Sequence, residues 1–456
     1  MSKEGLFNGF SEVSAKAWKQ KIQFDLKGAD YNEALLWESS GGIKVRPFYN
    51  NDDLKKNIFK PPFPKTPWKV GEVIYAGNAT MANVKALDTL QRGAESLVFM
   101  ISSEDIRIEQ LLQGIDIATV PIHFDFKFLS LSFIKKIIAY GTGKRNNFHF
   151  NMDIIGNLAR TGNWFHNLKK DHEIVANLLK ISPEGHMLGV DVSLYQNAGA
   201  HTIQQLAYAM AHVNEYLGHF ELCSSQPITF KVSIGSNYFF EIAKLKALRL
   251  LWSTLALEYG LENRCHILAY PTKRNKTLYD YNVNMLRTTT ECMAAVLGEA
   301  DTICNTPYDA IYHKKNEFGD RIARNQLLIL KEESYFDKVA NPADGSFYIE
   351  SITAQMAEKA LELFKSLEKS GGFLNQLKNH TVQKKIKDSA QKEQGKFNAG
   401  QEILVGTNKH QNPNDRMKDD VELYPFVKTN TRKTLIEPII EKRLAESLEQ
   451  KRLKNE

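Results

Sequence analysis

The stretch that decides the fold runs from Arg287 to Glu350 and reads RTTTECMAAVLGEADTICNTPYDAIYHKKNEFGDRIARNQLLILKEESYFDKVANPADGSFYIE. Its first part, Thr288 to Leu297, has apolar residues at helical spacing, and Gly298 ends that helix. The short apolar run from Ala300 to Cys304 predicts a buried strand, and a second amphipathic helix follows it. This order of helix, strand, loop and helix indicates the last unit of a repeated β/α architecture.

The same alternation extends over the chain before this stretch. Apolar runs predict strands at Glu72–Ala76, Ser96–Ile101, Ala118–Phe124, Phe148–Met152, Leu188–Tyr195, Ile228–Ile234, Cys265–Tyr270 and Asp301–Cys304. Helical patterns between them include Met81–Arg92, Ile106–Gly114, His201–Tyr216, Phe239–Tyr259 and Asn284–Leu297. Strands that alternate with helices predict a parallel sheet with the helices outside, and eight such units predict an α/β fold of the (β/α)8 TIM-barrel type. A doubly wound open sheet is the alternative.

Length and composition limit the class of protein. The chain has 456 residues and is 43% hydrophobic, which allows one large barrel with extensions. The net charge is +6, from 59 Lys and Arg against 53 Asp and Glu, so we expect no nucleic-acid partner. No apolar run could span a bilayer and no signal sequence opens the chain, which favours a cytoplasmic protein without a membrane partner.

The four cysteines have no Cys-x-x-Cys spacing. We therefore expect buried structural thiols in a reducing compartment. They are Cys223, Cys265, Cys292 and Cys304.

Several residues of the Arg287–Glu350 stretch resemble the cobalamin-dependent methylmalonyl-CoA mutase family. They are Arg287-Thr288, Met293-Ala294-Ala295-Val296, Asp309, Arg321-Ile322-Ala323-Arg324-Asn325 and Gly345-Ser346. The resemblance implies a barrel that handles an acyl-CoA ester. In the family, radicals from adenosylcobalamin interconvert methylmalonyl-CoA and succinyl-CoA.

The resemblance also implies a division of the chain into three parts. Residues 1–66 would form an arm that contacts a partner subunit, with Arg46-Pro47-Phe48-Tyr49 resembling the family's motif there and Pro61-Pro62-Phe63-Pro64 as a stiff connector. The arm's aromatic residues could equally pack on the chain's own barrel. Residues 67–377 would form the barrel, and residues 378–456 a helical extension with an amphipathic tail helix from Leu435 to Leu453.

The cofactor domain of the family follows its barrel and supplies an axial histidine from a DxHxxG motif. This sequence contains no such motif, and it ends at Glu456 soon after the predicted tail helix. We therefore expect no cobalamin-binding domain and no cofactor on this chain.

The family's groups that contact the thioester also have no counterpart. Its tyrosine after Pro-Trp falls on Val73 in an ungapped match, or on Tyr75 after a shift of two residues. Its histidine before the Glu-Ala-Gly-Ala run falls on Leu194, which can neither donate a hydrogen bond nor titrate. Its His-Thr-Asn motif becomes Cys304-Asn305-Thr306. We expect no catalytic, cofactor-binding or metal-binding residue.

Other candidate residues are few. Arg160 and Arg287 could bind a carboxylate or a phosphate. Three histidines, His201, His266 and His313, are isolated in sequence and lack the spacing of metal ligands.

Two rows of bulky residues decide whether the bore of the barrel is open. The rows are Val190, Val192 and Leu194 on one strand, and Phe230, Val232 and Ile234 on another. The family threads the pantetheine arm of CoA along the barrel axis, and these rows would close that channel if they pointed inward. The sequence leaves their direction open.

The hypothesis that follows is a non-catalytic small subunit of a heterodimeric methylmalonyl-CoA mutase, whose large subunit binds adenosylcobalamin. The alternative is the catalytic barrel of an acyl-CoA mutase whose cobalamin domain is a separate chain. A free-standing CoA-binding or scaffold protein is the third possibility.

Overall fold

The computed structural model describes residues 9, 11, 13–53, 67–428 and 431–456. The predicted connector Pro61–Pro64 therefore lies outside the described residues.

Eight parallel strands form a closed barrel, numbered here β1 to β8 in chain order. They are β1 Lys69–Tyr75, β2 Ser96–Ile101, β3 Ile122–Phe126, β4 Phe148–Met152, β5 His186–Asp191, β6 Ile228–Ile234, β7 Cys265–Pro271 and β8 Thr302–Cys304. β8 pairs with both β7 and β1, so the sheet has no free edge and the open-sheet alternative is wrong. A side chain at Gly71 would collide with Cys304 across this last pairing, which explains the glycine in β1.

Helices surround the barrel. Those between the strands and beside the barrel are Ala79–Gln91, Ile108–Leu111, Leu131–Gly141, Ile154–Thr161, Leu168–Ile181, Ser193–Asn197, Thr202–His219, Tyr238–Glu258, Val283–Leu297 and Glu317–Leu328, with a π-helix at Ile329–Glu333. The main core lies between these helices and the outer side of the strands, as where Trp252 packs on Phe230 with 5.7 Å between ring centroids. The chain is thus the (β/α)8 barrel that the strand–helix alternation predicts.

Three strands, β2, β4 and β6, have the predicted bounds, and two predictions fail for local reasons. The predicted strand at Ala118 begins only at Ile122, because Asp116 accepts a hydrogen bond from the Ala118 amide and forms a turn. The strand predicted up to Tyr195 ends at Asp191, since Ser193–Asn197 forms a short helix whose first amide bonds to the Asp191 carboxylate.

The bulky rows do not fill the bore. Phe230, Val232 and Ile234 pack in the outer core, while Lys231 between them reaches an acid on β3 inside the barrel. Val190 also lies in the outer core. The bore therefore receives the alternate residues of these strands, which are mostly polar.

One part of the amino-terminal arm is buried against the rest of the chain, and another part is not. The helices Ala15–Asp25 and Tyr31–Leu35 precede two paired two-residue strands, Trp37–Glu38 and Lys44–Val45, and a 3-10 turn, Asn51–Asp53. Tyr31 and Ile43 are buried, whereas the helix Ala15–Asp25 buries no residue.

The carboxyl-terminal extension contains the helices Phe347–Lys369, Phe373–Lys378, Thr381–Asn398 and Glu446–Lys454. The tail helix predicted from Leu435 is wrong in its first part, because residues 431–443 are irregular and only Glu446–Lys454 is helical. Pro438 cannot donate a backbone hydrogen bond, and the amides of Leu435, Ile436 and Ile439 bond to carbonyl oxygens of the segment after β4 instead of to one another.

Two further features concern the class of protein. Among the described residues no helix combines the length and apolar character needed to cross a bilayer. Three cysteines are buried as expected, but Cys223 is partly exposed, with its Sγ 2.8 Å from the Pro183 carbonyl oxygen.

Candidate functional site

A chain of charged side chains occupies the carboxyl end of the bore, where TIM-barrel enzymes place their active sites. Lys231 on β6 lies 3.2 Å from Asp125 on β3 and 3.5 Å from Asp191 at the end of β5. Arg160, from the helix after β4, binds Asp191 at 2.7 Å. We name these residues, together with Glu441, the mouth network.

Opposite charges decide the protonation of the mouth network. Burial would raise the pKa of Asp125, but Lys231 and Lys127 outweigh it and lower this pKa to about 2. Burial would likewise raise the pKa of Asp191, but Lys231 and Arg160 outweigh it and hold this pKa below its ordinary value. The pKa of Lys231 is raised, because its two acids outweigh its own burial. All three groups are therefore charged at neutral pH.

The tail covers this end of the barrel. Glu441 binds Arg160 at 2.9 Å and accepts a hydrogen bond from Asn197 at 2.9 Å. Five tail amides donate to backbone carbonyl oxygens of the segments after β4, β5 and β7: Leu435 and Ile436 to Gly162, Ile439 to Ala159, Lys442 to Asn197 and Leu444 to Arg274. Residues 435–444 thus lie across the carboxyl ends of these strands as a fixed cover.

A cavity of about 460 Å³ lies beside the mouth, between the arm and the extension. Its polar lining includes His201, Glu241, Arg274 and Glu393, and Arg274 already binds Glu393 at 2.6 Å. The volume is in the range of small-molecule pockets, although its charged groups are partly paired.

The comparisons with known proteins agree with the sequence motifs. A family model described as methylmalonyl-CoA mutase matches residues 98–454. A relative from Porphyromonas gingivalis, the methylmalonyl-CoA mutase small subunit, is 34% identical over 92% of this chain and 73% of its own length.

The chain belongs to the methylmalonyl-CoA mutase family.

Two more distant relatives carry different subunit names. The methylmalonyl-CoA mutase small subunit of Streptomyces virginiae is 27% identical over 83% of this chain and 67% of its own length. The methylmalonyl-CoA mutase large subunit of P. gingivalis is 24% identical over 88% of this chain, which spans 64% of that relative. The similarity to a small subunit is therefore the stronger of the two in P. gingivalis.

The position of the mutase family's histidine holds a buried leucine. Leu194 is 0% exposed in the helix Ser193–Asn197 and packs in the outer core. Its neighbour Tyr195 contacts His212 at 2.8 Å, and His212 contacts Asp153 at 2.9 Å, in a network buried behind the strands. This imidazole faces the outer helices and does not replace the missing one.

The two positions that match the mutase tyrosine differ in their surroundings. Val73 packs in the bore against Val98, Leu268 and Cys304. Tyr75 is 59% exposed at the carboxyl end of β1, with its hydroxyl 3.0 Å from Ser102 Oγ. A phenol is therefore present at the rim of the mouth.

The remaining candidates from the sequence have structural partners. Arg287 donates to Thr277, Asn284 and the Val405 carbonyl oxygen, each at 2.8 Å. His313 lies 3.3 Å from Asp309, and His201 caps the helix Thr202–His219.

His266 is not isolated in the fold, contrary to its place in the sequence. It lies in the bore with His123 and His149, and one ring nitrogen from each histidine lies within 4.8 Å of the others. The mouth network and this histidine group were not predicted. The only sign of these two groups in the sequence was a charged or imidazole side chain at alternate positions of strands that are otherwise apolar.

Proposed function

We propose that this chain is the non-catalytic small subunit of a heterodimeric methylmalonyl-CoA mutase, an intramolecular-transfer isomerase. A large subunit would bind adenosylcobalamin and interconvert methylmalonyl-CoA and succinyl-CoA. The observation that carries the proposal is the tail, which lies over the carboxyl end of the barrel with Glu441 bound to Arg160. The buried Leu194 at the position of the family's histidine supports the same assignment.

The residues at the mouth do not fit adenosylcobalamin. The sequence has no DxHxxG motif to supply an axial ligand. Glu441 and Arg160 neutralise each other where the cofactor face of a catalytic barrel would be open. No catalytic step is therefore assigned to this chain, and the cofactor is proposed for the large subunit alone.

The arm supplies a surface for the partner. Trp18 and Phe24, on the helix Ala15–Asp25, are 51% and 78% exposed, and Val13 just before the helix is 66% exposed. Large apolar side chains that a chain leaves exposed mark protein–protein contacts. We assign residues 1–66 to partner contact, residues 67–377 to the barrel, and residues 378–456 to the extension that covers it. The complex would be cytoplasmic.

Co-expression with a large subunit of the family tests the proposal. We expect a one-to-one complex on a sizing column at micromolar concentration, and turnover that depends on the large subunit. The double variant Trp18→Asp with Phe24→Asp should weaken the complex at least about tenfold, because charges would replace aromatic side chains that the partner would bury. Leu257→Asp is the matched control, since Leu257 is 57% exposed on the helix Tyr238–Glu258. Separate elution of the two wild-type chains would refute the proposal.

The exposed phenol of Tyr75 favours the alternative, a catalytic barrel that works with a separate cobalamin-binding chain. Purified chain, a cobalamin carrier chain and adenosylcobalamin would then turn over methylmalonyl-CoA, and Tyr75→Phe would lower the rate. Absence of turnover with the carrier removes this alternative.

A further inference from the structure

Four imidazoles meet inside the barrel at the amino-terminal ends of its strands. They are His123 on β3, His149 on β4, His186 on β5 and His266 on β7. Strand pairing places His149 beside both His123 and His186. The ring centroid of His149 lies 4.2 Å from that of His123, 3.8 Å from His186 and 4.6 Å from His266.

Each of these imidazoles keeps one buried nitrogen without a hydrogen-bond partner among the described atoms. The unpartnered atoms are His123 Nε2, His149 Nδ1, His186 Nδ1 and His266 Nε2. Buried polar atoms in native proteins are nearly always hydrogen-bonded. Four unpartnered nitrogens in one small space therefore indicate a ligand that binds nitrogen lone pairs.

Neighbouring side chains orient two of the rings. His149 Nε2 lies 3.0 Å from Asn147 Oδ1, an acceptor, so Nε2 carries the proton and Nδ1 keeps its lone pair. His123 Nδ1 lies 3.3 Å from the Asn151 amide, whose oxygen has no partner among the described atoms. Exchange of the amide oxygen and nitrogen lets that oxygen accept from His123 Nδ1–H, which leaves the lone pair on Nε2.

The protonation state of these four rings suits a metal ion. Burial lowers the pKa of His123, His149 and His266 well below the ordinary value, and that of His186 to about 4, so the rings are neutral at pH 7. Neutral imidazole is the form that binds metals. Asp301, whose charge acts on His123 and His186, is held by Arg249 at 2.8 Å and by the Ile267 amide at 2.6 Å, so it does not compete for the rings.

We propose that His123, His149 and His266 bind a divalent first-row transition-metal ion such as Zn²⁺, with His186 available as a further ligand. Imidazole ligands suit zinc and its neighbours and do not suit Mg²⁺ or Ca²⁺. Their ligand atoms lie within 4.8 Å of one another, and nitrogens around a tetrahedral zinc ion are about 3.3 Å apart. Small rotations of the rings close this difference. His186 and His266 are only partly buried, so the group lies near the surface at the amino-terminal end of the barrel.

Metal titration of the full chain tests this site. Protein stripped with a chelator is titrated with Co²⁺, whose visible absorption reports tetrahedral nitrogen ligands, and then with competing Zn²⁺. We expect one equivalent to bind, and X-ray absorption at the zinc edge to count at least three imidazoles. That count separates the site from a thiolate site in the unmodified protein.

Variants assign the ligands. We expect His149→Phe to abolish the cobalt absorption, and Asn147→Ala, which removes the partner of His149 Nε2, to weaken binding about 10- to 100-fold. His410→Gln is the control, because His410 is exposed and lies outside the barrel strands. The wild-type imidazole count decides the question even if a bore variant fails to fold. No cobalt absorption in the wild type, or equal absorption in His149→Phe, would overturn the proposal.

Discussion

Lys231 shows how a single residue determines the state of the barrel mouth. Its ammonium group lies between Asp125 and Asp191, in a place where only 30% of the side chain is exposed. Removing this cation would leave each carboxylate desolvated with one partner fewer, Lys127 for Asp125 and Arg160 for Asp191, which costs more than the pairing itself contributes. The two carboxylates are ionised because this cation, together with Lys127 beside Asp125 and Arg160 beside Asp191, outweighs their burial.

Replacement of Lys231 by methionine is the residue-scale prediction. Methionine keeps the apolar stem but leaves two acids facing each other, so we expect the free energy of unfolding at pH 7 to fall by about 1.5–3 kcal/mol. Urea unfolding measures the change. Lys135→Met is the control, since Lys135 is exposed on an outer helix and should change stability by less than about 0.5 kcal/mol.

The same variant predicts a pH dependence. The pKa of Asp125 is lowered to about 2, so its stabilisation is complete above the unfolded value of about 3.9 and disappears as pH falls toward 2. The stability difference between wild type and Lys231→Met should therefore shrink between pH 5 and pH 3. A difference that stays constant over this range would contradict the assigned ion pairs.

At the scale of the elements, sequence periodicity wrongly predicted a helix in the first part of the tail. Leu435, Ile439 and Leu444 belong to an apolar series with roughly helical spacing, but Pro438 removes a donor within the segment. The amides of these three residues bond to the carbonyl oxygens of Gly162, Ala159 and Arg274. Such bonds depend on a barrel surface that exists only after folding, so local pattern could not predict them.

Substitution of Glu441 by alanine is the element-scale prediction. Glu441 holds the tail through Arg160 and Asn197, so its loss should make the amides of Ile439 and Lys442 exchange with solvent about tenfold faster, equivalent to about 1.4 kcal/mol. Hydrogen exchange measures this. Glu437→Ala is a control in the same tail, because the ion pair of Glu437 with Lys387 is about half exposed and should contribute little. Equal exchange rates in the two variants would contradict the role of Glu441 in holding the cover on the barrel.

The sequence predicted the strands better than the site. β2, β4 and β6 were found with correct bounds because their apolar runs have clear ends. His266 seemed isolated because its neighbour His123 lies more than a hundred residues earlier, and only closure of the sheet brings the two together. Likewise, no sequence spacing connects Arg160 with Glu441.

At the scale of the molecule, the bore consists of layers of different polarity. The mouth network occupies the carboxyl end, an apolar cluster of Val73, Val98, Leu268, Tyr270 and Cys304 lies in the bore, and the four histidines occupy the amino-terminal end. A TIM barrel normally fills this space with branched apolar side chains. Here polar groups replace them at both ends.

Acid stability is the prediction at this scale. The four bore histidines stay neutral in the folded barrel, but they take up protons below about pH 6.5 when the chain unfolds. Stability therefore falls with decreasing pH, and each histidine contributes about 1.4 kcal/mol per pH unit to the slope.

The variant His123→Asn should lower this slope by one such contribution between pH 6 and pH 5, measured by urea unfolding with a chelator present. His410→Asn should leave the slope unchanged, because His410 is exposed. An unaltered slope in His123→Asn would show that this ring takes up its proton in the folded state.

The position of the cover in the chain has a consequence for biosynthesis. Residues 435–444 emerge from the ribosome after all eight barrel strands, so Arg160 is synthesised well before its tail partner Glu441. During that interval the mouth is open to solvent and to any chaperone that meets it. Docking of residues 435–444 is then the step that covers the carboxyl end of the newly synthesised barrel.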